Sequence, residues 1–189
     1  MSGSIKKRGP WSQLSTETVY ENPWVRIEHQ NVVTPGGTDG IYGLVHFKHC
    51  ALAIIPIDEQ GNTRLVGQYR YALDQYSWEL PMGGGVLDQA ILPSAQRELK
   101  EETGLCGGQW QQLLKLHTSN SVTDEVGYVF IATGLQQGQQ QLEPSEADLV
   151  VKSLPLQEAI DMAINGQITD AISVAGLLAA HRFIKADDN

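Results

Sequence analysis

Short apolar runs separated by turn residues make up most of this chain, and their period distinguishes strands from helices. Val25 to Val33 alternates moderately, Pro35-Gly36-Gly37 reads as a turn, and Tyr42 to Phe47 reads as the returning strand. Residues Trp11 to Phe47 are therefore expected to form a hairpin or small sheet. Its aromatics, Trp11, Tyr20, Trp24 and Tyr42, are available for internal packing, for a partner copy or for stacking on a base. Ala51 to Asp58 is continuously apolar, as a strand buried on both faces would be. After a turn at Glu59 to Asn62, Arg64 to Tyr71 predicts a second strand, and the apolar run Trp78 to Met82 leads into Gly83-Gly84-Gly85, expected as a loop. A helix should begin between Gln89 and Pro93, with Asp88 as its cap and Gly104 just past its end.

Downstream, Trp110 to Leu116 and Tyr128 to Thr133 predict two strands. The polar connection between them, His117 to Glu125, is too long for a tight hairpin, and loops of that kind often carry function. Gln136 to Gln141 is expected to be a flexible loop. A strand over Leu149 to Ser153 follows. Two helices then close the chain: one from about Pro155 to before Gly166, and one from Thr169, a suitable N-cap, to about Phe183. Ile172, Ala175 and Leu178 form the apolar stripe of the second.

Composition narrows the possibilities. At 189 residues and 41% hydrophobic, the chain can bury a core without disulfide or metal staples. Its 13 Lys and Arg against 22 Asp and Glu give a net charge of −9, which argues against nucleic acid as a partner. The one basic cluster, Lys6-Lys7-Arg8, is expected in a disordered tail. Two cysteines, Cys50 and Cys106, make no disulfide framework, and no apolar run is long enough to span a bilayer. A cytoplasmic location with no membrane partner is the expectation.

The candidate chemistry sits in GGGVLDQAILPSAQRELKEETGL, residues 83–105. On a helix, Glu98, Glu101 and Glu102 share a broad face, where their charges repel unless something positive intervenes. Arg97 and Lys100 supply one answer, that of an ordinary solvated helix; hard divalent cations, which take oxygen ligands, supply the other. The glycines in front favour the second, because backbone without Cβ atoms comes close to a ligand. The amides of the first helical turn would also favour an anion. No Gly-Lys-Ser/Thr follows, so the segment is not a P-loop.

The spacing of this stretch resembles the Nudix box, Gly-x5-Glu-x7-Arg-Glu-apolar-x-Glu-Glu-x-Gly-apolar. Gly83, Arg97, Glu98, Leu99, Glu101, Glu102, Gly104 and Leu105 all match, and Gln89 stands where the family usually has Glu. The resemblance covers about Ala51 to Ile184, and the upstream strands look like the N-terminal sheet of the ADP-ribose and ADP-sugar pyrophosphatase branch. It implies an α/β/α sandwich with a mixed sheet plus a small N-terminal sheet extension. The organisation would be residues 1–47 as tail and dimerisation extension and residues 48–189 as the hydrolase domain.

The implied activity is Mg²⁺-dependent hydrolysis of the diphosphate bond of a nucleoside diphosphate sugar, with Mn²⁺ as a possible substitute. Carried onto this sequence, the metal ligands would be Glu98, Glu102 and the carbonyl of Met82, with Glu101 assisting and Arg97 holding the carboxylates in position. Arg70, Trp78, Glu79, Gly83 and Gly84 would line the substrate, Arg70 reaching a phosphate, which its guanidinium suits, or a terminal sugar. The general base would be a loop glutamate after the box: Glu146 first, Glu143 second and Asp148 third. A homodimer is implied as well. Gln89 leaves the number of metals open, with Asp88 as a substitute ligand. Ser119-Asn120-Ser121, where the branch tends to carry a proline, leaves the sugar open. The alternatives are hydrolysis of dinucleoside polyphosphates or of a coenzyme, and a ligand-binding module without turnover.

Overall fold

The computed structural model describes residues 5–186, with side chains as far as His181, and these residues form two compact units. One contains residues 5–49 and 117–125; the other contains residues 50–116 and 126–186.

Backbone pairing defines the first unit. Strands β1 (Lys6–Arg8), β2 (Trp11–Glu21), β3 (Val25–Val33) and β4 (Asp39–Phe47) form an antiparallel sheet in sequence order. Lys6-Lys7-Arg8, expected in a disordered tail, thus form an edge strand. Their backbone pairs with β2, Lys7 Nζ donates to Ser12 Oγ at 2.7 Å, and charged side chains on a sheet edge stay in water. The β2–β3 turn is closed by the Asn22 side chain, whose Oδ1 accepts from the N–H groups of Trp24 and Val25. The polar connection is tied to this sheet: Val45 N–H donates to the Val122 carbonyl at 2.9 Å, the Tyr42 hydroxyl to the Ser121 carbonyl, and Phe47 N–H to Asp124 Oδ1 at 3.2 Å.

In the second unit, β5 (His49–Ile57) lies parallel to β10 (Val126–Gln137). Together with β8 (Met82–Val86) and β9 (Leu105–His117) they form a mixed sheet in the order β8-β5-β10-β9. A smaller antiparallel sheet has the order β11-β6-β7, with β6 at Asn62–Arg70, β7 at Gln75–Glu79 and β11 at Val150–Pro155. The β5 run is apolar throughout because both of its faces are covered. Ala53 and Ile55 pack with Val129, Ile131, Ile160 and Leu177, on the side of helices α2 (Leu156–Ile164) and α3 (Ala171–Ala186). Leu52 and Ile54 pack with Ala95 and Leu99 of helix α1 (Ile91–Thr103) on the opposite side. Helices therefore cover both faces of the sheet, which is the expected α/β/α arrangement.

Several boundaries differ from the sequence reading. The three glycines are strand, not loop: β8 runs through them as the edge of the mixed sheet. Helix α1 starts at Ile91 with Ala90 at its N-cap and no side-chain cap, while Asp88 occupies a turn at φ +62°. Gly104 ends it in the left-handed conformation at φ +76°. Asp170, not Thr169, caps α3, its Oδ2 accepting from Ser173 N–H at 2.8 Å. β9 begins directly after Gly104 and β10 extends through Gln137, so part of the glutamine-rich segment is strand.

The rest of that segment is bound to the end of α1. Gln140 Nε2 donates to the Glu102 carbonyl at 2.6 Å, Gln141 N–H to the Glu101 carbonyl at 2.9 Å, and Gln137 Nε2 to the Thr103 carbonyl at 3.3 Å. Helix ends leave four carbonyls without intrahelical partners, and these amides satisfy three of them. The flexible loop of the sequence reading is thus a C-terminal cap supplied from the next strand pair.

Candidate active site

Helix α1 divides its charged residues between two environments. Glu98 and Glu102, one turn apart, face inward at 9% and 1% exposure, while Arg97 and Glu101 lie nearer to solvent. Arg97 spans the group: it donates to Glu101 Oε2 at 2.6 Å, to Glu98 Oε1 at 2.5 Å and to the Gly84 carbonyl at 3.4 Å. Helix and β8 approach so closely that a Cβ on Gly83 would lie 2.1 Å from Glu98 Cδ. One on Gly85 would lie 2.7 Å from Cys50 Sγ. Two of the three glycines are therefore explained by the packing of α1 and β5 against an edge strand.

Glu102 Oε2 accepts from Met82 N–H at 2.9 Å, which fixes the first residue of β8 beside the buried carboxylate. Burial pushes the Glu102 carboxyl up to about 8 against that hydrogen bond. The charges of Glu146 and Glu98 add to the rise, and Arg70 opposes it. Glu98 is raised too, by burial first, with Arg97 opposing and Glu101 and Glu146 adding.

Of the three loop acids, Glu146 is the one whose charge bears on both Glu98 and Glu102. It sits at the end of a single 3₁₀ turn, Pro144–Glu146, in a reciprocal cap with Glu143. Glu146 Oε2 accepts from Glu143 N–H at 3.1 Å while the Glu143 carboxylate accepts from Glu146 N–H. Asp148 is engaged elsewhere, accepting from Tyr69 N–H at 3.2 Å.

Arg70 and Glu79, both expected to line the substrate, are paired with each other across β6 and β7 in a two-point contact, one arm of which measures 2.9 Å. Together with Ser77, Met82, Thr169 and Asp170 they border a cavity of about 220 Å³. Strand alternation turns Trp78 to the opposite face from Glu79. There its ring packs edge-on to Tyr76, centroids 5.5 Å apart, where a Cβ on Gly67 would meet it at 2.8 Å. Gln89 is exposed in the turn before α1.

The cluster thus brings together Glu98, Glu101, Glu102, Arg97, Met82, Gly83, Gly84 and Glu146, with Arg70 and Glu79 at the adjoining cavity. Trp78 stands apart from it. Sequence reasoning missed Ser77, Thr169 and Asp170 at the cavity and Gln140 behind the helix. The available signals were a second capping residue beside Thr169 and a run of amide donors downstream of a helix end.

A carboxylate buried to this degree, facing two further acids, fits a hard divalent cation, and an all-oxygen donor set suits magnesium or manganese better than zinc. Among the described residues no three His, Cys, Asp or Glu side chains already close on one point; Arg97 holds oxygens of Glu98 and Glu101 instead. The acids fit the cation in chemistry and burial, and an ion would compete with Arg97 for them.

A mixed sheet between helices, carrying this box on the helix beside its edge strand, defines a Nudix hydrolase. Sequence comparison agrees: the NUDIX domain pattern matches residues 47–173, and the pattern of the nucleoside diphosphate sugar hydrolase N-terminal domain matches residues 11–45. The chain belongs to the Nudix family, whose hydrolases generally use divalent cations. It is 37% identical over 173 residues to an ADP-ribose pyrophosphatase of Mycobacterium tuberculosis H37Rv, spanning 89% of this chain and 82% of that one. It is 26% identical over 171 residues to a CMP-5'-(N-acetyl-N-hydroxy-3-aminopropyl)phosphonate hydrolase of Streptomyces rubellomurinus, spanning 89% and 81%. A solved structure of an ADP compounds hydrolase shares the fold with a TM-score of 0.82 at 22% identity, over 98% of each chain.

Proposed function

We propose that this protein hydrolyses the diphosphate bond of ADP-ribose or a closely related nucleoside diphosphate sugar, releasing a nucleoside monophosphate and a sugar phosphate. The observation that carries the reading is the burial of Glu98 and Glu102 on one side of α1, with Glu102 bonded to the N–H of the first residue of β8. The match of residues 11–45 to a sugar-hydrolase N-terminal domain and the 37% identity to an ADP-ribose pyrophosphatase support the substrate class.

Glu98, Glu102 and the Met82 carbonyl would hold Mg²⁺ or Mn²⁺, with Glu101 beside them. Bound there, the ion supplies charge neutralisation at the diphosphate and acidifies water. Arg97 keeps the carboxylates apart and oriented, a positioning role shared between Glu98 and Glu101. Glu146, half-buried and held by its cap with Glu143, takes the proton of the attacking water. Gly83 admits the Glu98 carboxylate against β8, exposed Gly84 borders the diphosphate, and Arg70, steadied by Glu79, meets the part of the substrate beyond it. Trp78 serves this site through packing.

Residues 48–189 carry the catalysis, and residues 1–47 are the extension through which two copies pair. Exposed Val19, Tyr20, Trp24 and Ile41 support an apolar contact face there. The two free cysteines support a reducing, cytoplasmic setting, and among the described residues no helix is long and apolar enough to cross a membrane.

Incubation with Mg²⁺ and ADP-ribose, ADP-glucose, GDP-mannose or diadenosine polyphosphates, followed by chromatography, tests the reading. AMP from ADP-ribose or ADP-glucose is expected. No product from any nucleotide sugar, in Mg²⁺ or Mn²⁺, overturns it.

A further inference from the structure

The cavity beside Met82 has a charge pattern that the hydrolytic cluster does not use. Among the described residues its one cation is Arg70, already bound at two points by Glu79, which is itself buried. Asp170 adds a second carboxylate to the lining, close enough to act on Arg70. One cation against two carboxylates leaves the cavity net negative. The hydroxyls of Ser77 and Thr169 are its other polar side chains, and Ala72, Leu73 and Met82 make the rest of the lining apolar. A phosphate in this space would meet uncompensated negative charge, whereas a neutral group with adjacent hydroxyls would find carboxylate acceptors and hydroxyl and guanidinium donors.

Asp170 is also held in place. Its Oδ2 caps α3 through Ser173 N–H at 2.8 Å, and Ser173 Oγ accepts from Leu80 N–H at 2.9 Å, two residues before Met82. Ser173 is fully buried. One serine therefore links Asp170 to the segment that enters β8, so the spacing between Asp170 and the hydrolytic cluster is set by the fold. With Oδ2 committed to the helix, Oδ1 remains for a ligand.

We propose that Asp170 is a specificity-determining residue: it accepts hydroxyls of the sugar beyond the diphosphate and repels substrates that carry a further phosphate there. This rests on the function proposed above and names what the site selects. The variants Asp170→Ser and Asp170→Asn both retain a helix-capping side chain. Asp170→Ser removes the acceptor, and the KM for ADP-ribose is expected to rise about tenfold, the scale of one charge-assisted hydrogen bond. Asp170→Asn, which keeps an acceptor oxygen, should recover part of that loss.

ADP, which lacks the sugar, should bind both variants as it binds the wild type, measured by calorimetry. ATP, which places a phosphate where the sugar would lie, should inhibit both variants more strongly than the wild type. An unchanged KM for ADP-ribose overturns the proposal, as does an equal loss for ADP-ribose and ADP. Should Asp170→Ser fail to fold, Asp170→Asn carries the test alone, through the change in ATP inhibition. Wild-type protein that releases no nucleoside monophosphate from any nucleotide sugar refutes the functional reading itself, a result distinct from any difference between variants.

Discussion

The side-chain amide of Gln140 donates to the backbone carbonyl of Glu102 at 2.6 Å, so the segment leading to the candidate base also closes the helix that carries the candidate metal ligands. Three residues later Glu143 starts the turn that ends at Glu146. The relative position of Glu102 and Glu146 thus depends on helix capping as well as on packing.

Gln140→Ala removes that donor and leaves a helix-end carbonyl in want of a partner. The expected loss is about 1–2 kcal/mol of stability, which in a chain of this length lowers the melting temperature by about 2–4 °C per kcal/mol. Gln139→Ala, at an exposed neighbour, should change little. Thermal denaturation followed by circular dichroism compares the two; equal melting temperatures would show that the amide contributes nothing.

A methyl group at position 83 would lie 2.1 Å from Glu98 Cδ, so Gly83→Ala must displace either β8 or the Glu98 side chain. Overpacking of this kind costs about 1–3 kcal/mol, and the displaced carboxylate should reduce kcat/KM as well. Gly43, in β4, has no atom within 4 Å of its added Cβ, and Gly43→Ala should be neutral or slightly stabilising. Urea unfolding of both variants separates a packing effect from a general intolerance of alanine in strands.

The parts of this site that were legible in the sequence are those written in local spacing. Arg97, Glu98, Glu101, Glu102 and Gly104 follow the helical period, and Gly104 adopts the positive φ that a helix end requires of it. What stayed hidden depends on residues far away in the chain. The glycines read as a loop because nothing nearby shows that Glu98, Cys50 and Leu52 occupy the space where Cβ atoms would be. The glutamines read as a flexible segment because their partners are the carbonyls of residues 101–103. Thr169 and Asp170 are both good caps, and the choice fell to Asp170, which accepts from the Ser173 N–H while the Ser173 hydroxyl is tied to Leu80. Trp78 and Glu79, both expected to line the substrate, are neighbours on a strand and so face opposite ways.

The three loop acids should separate on substitution. Glu146→Gln removes the carboxylate whose charge reaches both Glu98 and Glu102, and kcat should fall by about 10²–10³. Glu143→Gln keeps an acceptor for the cap, and Asp148→Asn keeps one for Tyr69 N–H, so both should retain most activity. A loss in Glu143→Gln equal to that in Glu146→Gln would place the base on the wrong side of the turn. Steady-state kinetics at saturating Mg²⁺ makes the comparison.

Glu102 links the site to pH. Its carboxyl is raised in the folded protein from an ordinary value of 4.5 to about 8, with burial as the main cause. A raised carboxyl favours the folded state while it is protonated. That stability is fully present below the unfolded value near 4.5 and is lost as pH rises through about 8. Metal-free protein should therefore become less stable from pH 5 to pH 9, and Glu102→Gln, which cannot ionise, should flatten this dependence and be the more stable form at the alkaline end. A divalent cation bound by the ionised carboxylate reverses the order in the wild type, so the increase in melting temperature caused by Mg²⁺ should be small at pH 5.5 and larger at pH 8.5. Glu102→Gln should show little Mg²⁺ effect at either pH and lose activity by orders of magnitude while remaining folded. Thermal shifts with and without Mg²⁺ across this range decide the matter: equal Mg²⁺ effects in wild type and variant would remove Glu102 from the metal site.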